Sequence, residues 1–145
     1  DCVNLLIPGP VELVPPQPFD STLDMPRIDE LVTSVRDFLR GEVMTATTGR
    51  SNFMARVASN SLDIVLREIA LGAETKAREL ERLQAFFGSQ EDLEQLRWRL
   101  VKELRDGSQS LEDARLGVHL RETVVNQIAI DQPRYSGFRT ATGST

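Results

Sequence analysis

The chain has 145 residues with 17 basic and 22 acidic side chains, a formal net charge of −5, one Cys and one His. One Cys cannot form an internal disulfide, and one Cys with one His cannot form a Cys/His zinc site. The acidic balance argues against a nucleic-acid partner, and no apolar stretch approaches the roughly 20 residues of a membrane-spanning helix. We therefore expect a cytoplasmic protein that binds neither nucleic acid nor membrane.

The distribution of proline predicts three segments. Five of the seven prolines lie in the first 18 residues, Pro26 follows, and none occurs between Arg27 and Gln132. Because proline is disfavoured inside helices, we predict an extended Pro-rich arm over residues 1–24, a helical bundle domain over 25–136 and a flexible tail over 137–145. The arm also carries apolar runs, so it is either a disordered linker or an extended segment that packs on the helical domain or on a partner.

The first two predicted helices carry wide apolar faces. Apolar residues recur at spacings of three and four over residues 26–44, which predicts the first helix. Over residues 50–71 they cover more than half of the helix circumference, which is typical of the central helix of a bundle. We expect Gly72 to end this second helix. Its remaining face is a polar stripe that consists of Arg56, Asn60, Asp63 and Arg67.

Three further helices complete the predicted fold. The third covers residues 73–87 and ends at Gly88, and a capping sequence at residues 89–92 begins the fourth, which ends near Gly107. The fifth covers residues 113–131. No segment shows the two-residue alternation of a strand. The predicted fold class is therefore all-α, a bundle of four to five helices with an extended Pro-rich N-terminal arm.

The candidate ligand-binding residues lie on two polar stripes. Arg56, Asn60 and Arg67 belong to the second predicted helix. His119 and Gln127 belong to the fifth, where Gln127 falls near the centre of the apolar face. Because an unpaired buried amide costs about 1–3 kcal/mol, we expect the two stripes to face each other. They form either an interior hydrogen-bond network that fixes helix register or a polar cleft that holds a small acid or phosphate.

The sequence predicts no catalytic residue, no metal site and no cofactor. It has no nucleophile beside a base and no Gly-rich phosphate loop. It also has no His-x-x-x-His or Glu-x-x-His pair for a metal ion. We therefore favour a protein that is not an enzyme.

Five strings occur in a characteristic order along the chain. They are VRDFL (35–39), FMARVASN (53–60), REIALG (67–72), HLRETV (119–124) and DQPRYS (131–136). Together they resemble a bacterial family of small all-helical proteins classed as a domain of unknown function, over residues 27–136. The resemblance implies an association with acyl-CoA dehydrogenases and with kinases similar to aminoglycoside phosphotransferases, because family members tend to be encoded beside them. It implies no catalytic residues.

Three hypotheses for the function remain open. In the first, the protein is a non-enzymatic accessory protein that binds a larger enzyme of acyl-CoA or phosphotransfer metabolism through an exposed helix face. In the second, it is a small-anion or acyl-metabolite binding module, or a modest enzyme, that uses a cleft between the second and fifth predicted helices. In the third, the hairpin of the third and fourth predicted helices forms a homodimer.

Overall fold

The computed structural model describes residues 9–17 and 25–143, and within them it contains helices and no strands. This confirms the predicted all-α class. No helix among these residues is both long enough and apolar enough to cross a membrane. The helical elements are α1 (Ile28–Phe38), a π-helical segment (Leu39–Val43), α2 (Met44–Ala46), α3 (Gly49–Phe87), α4 (Leu93–Asp106), α5 (Ala114–Asp131) and α6 (Ser136–Thr142).

The described residues form two compact units, and α3 contributes to both. One unit, called the N-unit here, consists of the described residues between 16 and 72. The other, called the C-unit, consists of residues 9–15 and 73–143. The segments 1–8 and 18–24 of the predicted arm lie outside the described residues.

The prediction that Gly72 ends a helix is wrong. Gly72 lies inside α3, so the second and third predicted helices are a single helix of 39 residues. A glycine inside a helix costs only about 1 kcal/mol relative to alanine, which tertiary packing readily overrides. By contrast, Gly88 and Gly107 follow the ends of α3 and α4 with φ values of 61° and 79°, as expected for helix-terminating glycines.

Replacing Gly72 with alanine is expected to leave the free energy of unfolding unchanged or to raise it by up to about 1 kcal/mol, because alanine is the better helix former. An added Cβ would lie 2.5 Å from the Glu68 carboxyl group, which is the far end of a flexible side chain and can shift to make room. Urea unfolding followed by circular dichroism measures the change. Gly107→Ala is the matched control and should lose about 1 kcal/mol, because its φ is positive. If both variants lowered the free energy of unfolding by the same amount, α3 would not be continuous through Gly72.

In the N-unit, polar side chains join α1 and α3 as an antiparallel hairpin. Asp63 on α3 forms one ion pair with Arg36 of α1, at 3.5 Å, and another with Arg40 of the π-helical segment that follows α1. Arg40 also donates a hydrogen bond to Asn60 Oδ1 at 3.5 Å. The end of α1 and the segment after it therefore meet the first half of α3. Asn60 and Asp63, two members of the predicted polar stripe, are the residues of α3 that make these contacts.

In the C-unit, α5 lies between two apolar clusters. The first cluster joins α3, α4 and α5 and consists of Leu83, Leu96, Leu100 and Leu116, with further half-buried side chains around them. The second joins residues 9–15 to α5 and α6 and consists of Val11, Val125 and Ala141, with Phe138 packed against them. Helix α5 is thus covered on two sides, which decides which of its residues are buried.

Residues 11–14 of the arm contact α5 and α6 within the C-unit. Val11 and Val14 are buried. The Val11 N–H donates to the Ala141 carbonyl at 2.9 Å, and the Val14 N–H donates to Asn126 Oδ1 at 3.0 Å. Backbone hydrogen bonds and apolar contacts together hold residues 11–14.

A short helix occupies most of the segment predicted as a flexible tail. Helix α6 covers Ser136–Thr142, and its Gly137 and Ala141 are buried. Small side chains at these positions allow the backbone of α6 to approach its neighbours closely. The contact that orders this helix comes from the arm, about 130 residues away in sequence, so the local composition gave no sign of it.

Candidate functional site

A pocket of about 430 Å³ lies between α3 and α5 in the C-unit. Three basic side chains line it: Arg82, Arg115 and His119. The other lining residues are Ala85, Phe86, Ala114 and Val118, which make the walls largely apolar. This volume falls within the range of about 300–1,000 Å³ that is typical of small-molecule sites.

Arg82 lies on α3 and is anchored on α5. Its Nη1 lies 3.2 Å from Glu122 Oε2, and its Nη2 donates to Thr123 Oγ1 at 3.2 Å. The third nitrogen of the guanidinium, Nε, is buried and has no hydrogen-bond partner among the described residues. An unpaired buried donor is costly and calls for an explanation, such as a ligand or a bound water.

His119 lines the same pocket from α5 and is only 6% exposed. Its Nδ1 is also buried without a hydrogen-bond partner in the described part of the chain. Burial lowers the pKa of His119, and the charge of Arg82 lowers that pKa further, whereas Glu79 acts in the opposite direction and Arg97 again lowers it. The imidazole is therefore neutral at pH 7, and its Nδ1 donates or accepts according to its tautomer.

Arg115 lies in the first turn of α5 and lines one wall of the pocket. It pairs with Asp113, the N-cap residue, with Nη2 2.8 Å from Oδ2 and Nε 3.2 Å from Oδ1. The Arg115 hydrogen bonds lower the pKa of Asp113 to about 2. The guanidinium carbon also lies 5.0 Å from the centroid of the Phe86 ring. Arg115 thus covers an apolar wall while its charge is neutralised by Asp113.

The pKa of His119 predicts how stability depends on pH. Because folding lowers this pKa below its ordinary value of 6.5, the unfolded chain binds more protons than the folded chain just below that pH. The free energy of unfolding is expected to fall as the pH drops below about 6.5, by at most about 1.4 kcal/mol per pH unit. Above about pH 7 the contribution is complete and constant. Urea unfolding at about pH 7.5 and 5.5 measures this difference.

The control for this prediction is His119→Gln. The chain has a single His, so the substitution removes all histidine titration. The variant should lose less stability than the wild type between about pH 7.5 and 5.5. If the free energy of unfolding falls by the same amount in both proteins, His119 is not buried in its neutral form.

Of the five predicted ligand-binding residues, His119 lines this pocket and the other four do not. Arg56 and Asn60 are exposed on α3 in the N-unit, and Arg67 is half-buried there. Gln127 lies on α5 in the C-unit. The assignment of ligand binding to these residues stays a prediction. Among residues 9–17 and 25–143, no group of three or more His, Cys, Asp or Glu side chains could hold a metal ion.

The prediction that Gln127 is buried is wrong, and its neighbour Asn126 is buried instead. Gln127 is exposed and donates to Asp131 Oδ2 at 3.0 Å. Asn126 donates to the Glu122 carbonyl at 2.9 Å and accepts the Val14 N–H. Because α5 packs against clusters on two sides, its buried surface is wider than one apolar stripe indicates and includes the position of Asn126.

Sequence reasoning missed Arg82 and Arg115. Both are arginines on charged helix surfaces, which usually face solvent. The signal that could have found them is the small size of Ala85 and Ala114, since small residues on two packed helices leave a space between them. Using that signal requires knowing that α3 packs against α5, and the spacing of residues does not give this pairing.

Two exposed apolar stripes mark the N-unit. The stripe on α1 consists of Ile28, Leu31, Val35 and Phe38, which are 52–65% exposed. The stripe on α3 consists of Phe53, Met54, Val57, Ile64 and Val65, which are 36–61% exposed. The sequence predicted both faces as core of a bundle, and for these nine side chains that prediction is wrong. Helices α1 and α3 meet through Asp63, Arg36 and Arg40, which leaves these stripes outside.

Comparison with known proteins places the chain in a family. A family model described as Domain of unknown function (DUF6285) matches residues 45–135, which is more than half of the chain. The chain belongs to this family. Helix α1 and the arm lie before the matched residues. No significant match was found to a curated protein or to a solved structure.

Proposed function

We propose that this member of the DUF6285 family is a non-enzymatic, cytoplasmic accessory protein that binds a larger metabolic enzyme through the apolar stripes on α1 and α3. The observation that carries the proposal is the exposure of nine large apolar side chains in one unit. Contiguous apolar patches of more than a few hundred Å² are rare on monomeric proteins and mark interaction sites.

The area of the two stripes supports a protein partner. Nine large apolar side chains that are each about half exposed offer roughly 800 Å² of apolar surface, which is what each partner contributes to an interface of standard size. Burial of that area would remove a large part of the stripes from water. An enzyme with a complementary apolar surface would therefore gain a stable contact.

The composition of the α3 stripe is also that of an interface. Aromatic residues, Met and Arg are enriched in interfaces, and Phe53 and Met54 provide the first two. Arg50 and Arg56 are exposed and lie within one turn of Phe53 on α3. We therefore expect the enzyme to present an apolar surface with acidic groups at its edge.

The class of enzyme that we propose rests on the resemblance described for the sequence. Proteins that this chain resembles tend to be encoded beside acyl-CoA dehydrogenases and beside kinases similar to aminoglycoside phosphotransferases. We propose an enzyme of one of these two classes as the partner. The alternative function is a module that binds a small anion or an acyl metabolite. Of the five residues predicted to form its site, only His119 lines a pocket; the other four are Arg56, Asn60, Arg67 and Gln127.

Capture of the partner with two matched variants tests the proposal. Val57 and Val124 are exposed to a similar degree, 41% and 49%, but only Val57 belongs to a stripe. The affinity-tagged wild type and Val124→Asp are expected to capture an acyl-CoA dehydrogenase or a phosphotransferase-like kinase from cells of the source bacterium. Val57→Asp should capture at least tenfold less, because a charge in an apolar contact is left without water.

Two outcomes would overturn the proposal. One is equal capture by Val57→Asp and Val124→Asp, which would separate binding from the stripes. The other is a wild type that captures no such enzyme, whether light scattering shows it to be a monomer or a homodimer. Circular dichroism of both variants should match that of the wild type, since both side chains are already exposed.

A further inference from the structure

We propose that the pocket between α3 and α5 binds a small monocarboxylic acid with an apolar body, and that Arg82 and His119 hold its carboxylate. This site lies in the C-unit and is independent of the stripes on which the proposed enzyme binding depends. Two buried hydrogen-bonding atoms on different helices, Arg82 Nε and His119 Nδ1, belong to side chains that line this one pocket. Neither has a partner among the described residues.

The charges around the pocket favour an anion. Its polar lining side chains are Arg82, Arg115 and His119, and no acidic side chain is among the lining residues. The carboxylates that pair with the two arginines, Glu122 and Asp113, are not among the lining residues, so a cationic ligand would meet N–H donors and no carboxylate in the pocket. An anion carries hydrogen-bond acceptors, so it can receive charge-assisted hydrogen bonds from the guanidinium groups.

The available donors fit a carboxylate better than a phosphate. The Nη1 and Nη2 atoms of Arg82 contact Glu122 and Thr123, whereas its Nε–H is buried and has no partner among the described residues. Arg115 is engaged by Asp113. Arg82 Nε–H and a His119 Nδ1–H tautomer then supply two donors, which matches the two oxygens of a carboxylate. A doubly charged phosphate would bring more charge than these partly neutralised arginines balance.

The apolar walls of the pocket determine which chemical group the ligand carries beside its carboxylate. Ala85, Phe86 and Val118 offer no hydrogen-bond donor or acceptor from their side chains, so they select an alkyl or aryl body. Arg82 Nε and His119 Nδ1 are buried beneath the pocket surface in the free protein. The carboxylate would therefore have to enter between these two side chains to reach both atoms.

Titration of the full chain with sodium hexanoate tests this site. Isothermal titration calorimetry gives the dissociation constant, and ¹H–¹⁵N spectra locate the contact. Hexanoate is expected to bind and to shift the amide signals of Ala85, Phe86 and Val118. Hexylamine, which has the same chain with a cationic head, is expected to bind at least tenfold more weakly. Inorganic phosphate alone should leave these amide signals in place.

Three variants, each with a distinct role, complete the test. Ala85→Leu fills the pocket from an exposed position and should weaken hexanoate binding at least tenfold. Ala77→Leu, the same change at an exposed position two turns earlier on α3, should have no effect. His119→Phe keeps a ring but loses the donor, and should weaken hexanoate binding while leaving hexylamine binding unchanged. The proposal is overturned if hexanoate leaves the pocket amides unshifted, if hexylamine binds equally well to the wild type, or if Ala85→Leu binds hexanoate like the wild type.

Discussion

Replacing Leu96 with alanine is expected to lower the free energy of unfolding by about 3 kcal/mol, the largest effect of any single apolar truncation proposed here. Leu96 is 0% exposed and belongs to the cluster that joins α3, α4 and α5. The substitution removes buried methyl groups and leaves a cavity that neighbouring side chains fill only in part. Urea unfolding followed by circular dichroism gives the free energy difference.

Leu111→Ala is the matched control for this truncation. Leu111 is 75% exposed, and the same substitution there should change stability by no more than about 0.5 kcal/mol. If Leu96→Ala costs less than about 1 kcal/mol, or if both variants cost the same, then Leu96 does not lie in the core of the C-unit.

The second large effect is expected at the ion pair between α3 and α4. Glu79 is buried, and both of its carboxylate oxygens accept hydrogen bonds from the guanidinium of Arg97, with Nε 2.8 Å from Oε1. Arg97→Ala would leave a buried carboxylate without its main partner. We expect a loss of about 2 kcal/mol, below the values for fully buried pairs, because the half-exposed Arg97 leaves a route for water.

Arg99→Ala is the control for Arg97→Ala, because it changes the same residue type on the same helix. Arg99 pairs with Glu91 and Glu103, which are partly exposed, and lies over the ring of Phe87. Its loss should lower the free energy of unfolding much less than the loss of Arg97, because solvent screens the ion pairs of Arg99. The double variant Glu79→Leu with Arg97→Met should recover most of the stability, since no buried charge remains. An Arg99→Ala loss as large as that of Arg97→Ala would show that burial of Glu79 adds nothing.

Much of the helical framework could be predicted because local chemistry sets it. The fifth predicted helix covered residues 113–131, and α5 covers Ala114–Asp131 with Asp113 as its N-cap. The fourth ends at Gly107 as predicted, and Asp92 begins it by accepting the Gln95 N–H at 2.9 Å. Gly72 misled the prediction, because the same residue that ends one helix is tolerated inside another that is long and well packed.

The candidate site could be predicted only in part because it depends on which helices meet. His119 stood out as the one His near an apolar face, and it does line the pocket. Arg82 could not be chosen from the many arginines without knowing that α3 lies against α5. The apolar stripes show the complementary limit: periodicity identifies an apolar face such as that of Phe53 and Val57, but it does not tell whether the chain itself or a partner covers that face.

Site-specific photo-cross-linking shows whether the stripe on α3 is a contact surface. A photoreactive phenylalanine analogue is placed at Phe53 or, as the control, at Trp98, an aromatic residue of the C-unit with matching exposure, 61% against 63%. In cells of the source organism, illumination should link the Phe53 analogue to a larger enzyme identified by mass spectrometry, and the Trp98 analogue should give little or no such product. No adduct at Phe53, or equal yields at both positions, would contradict the account.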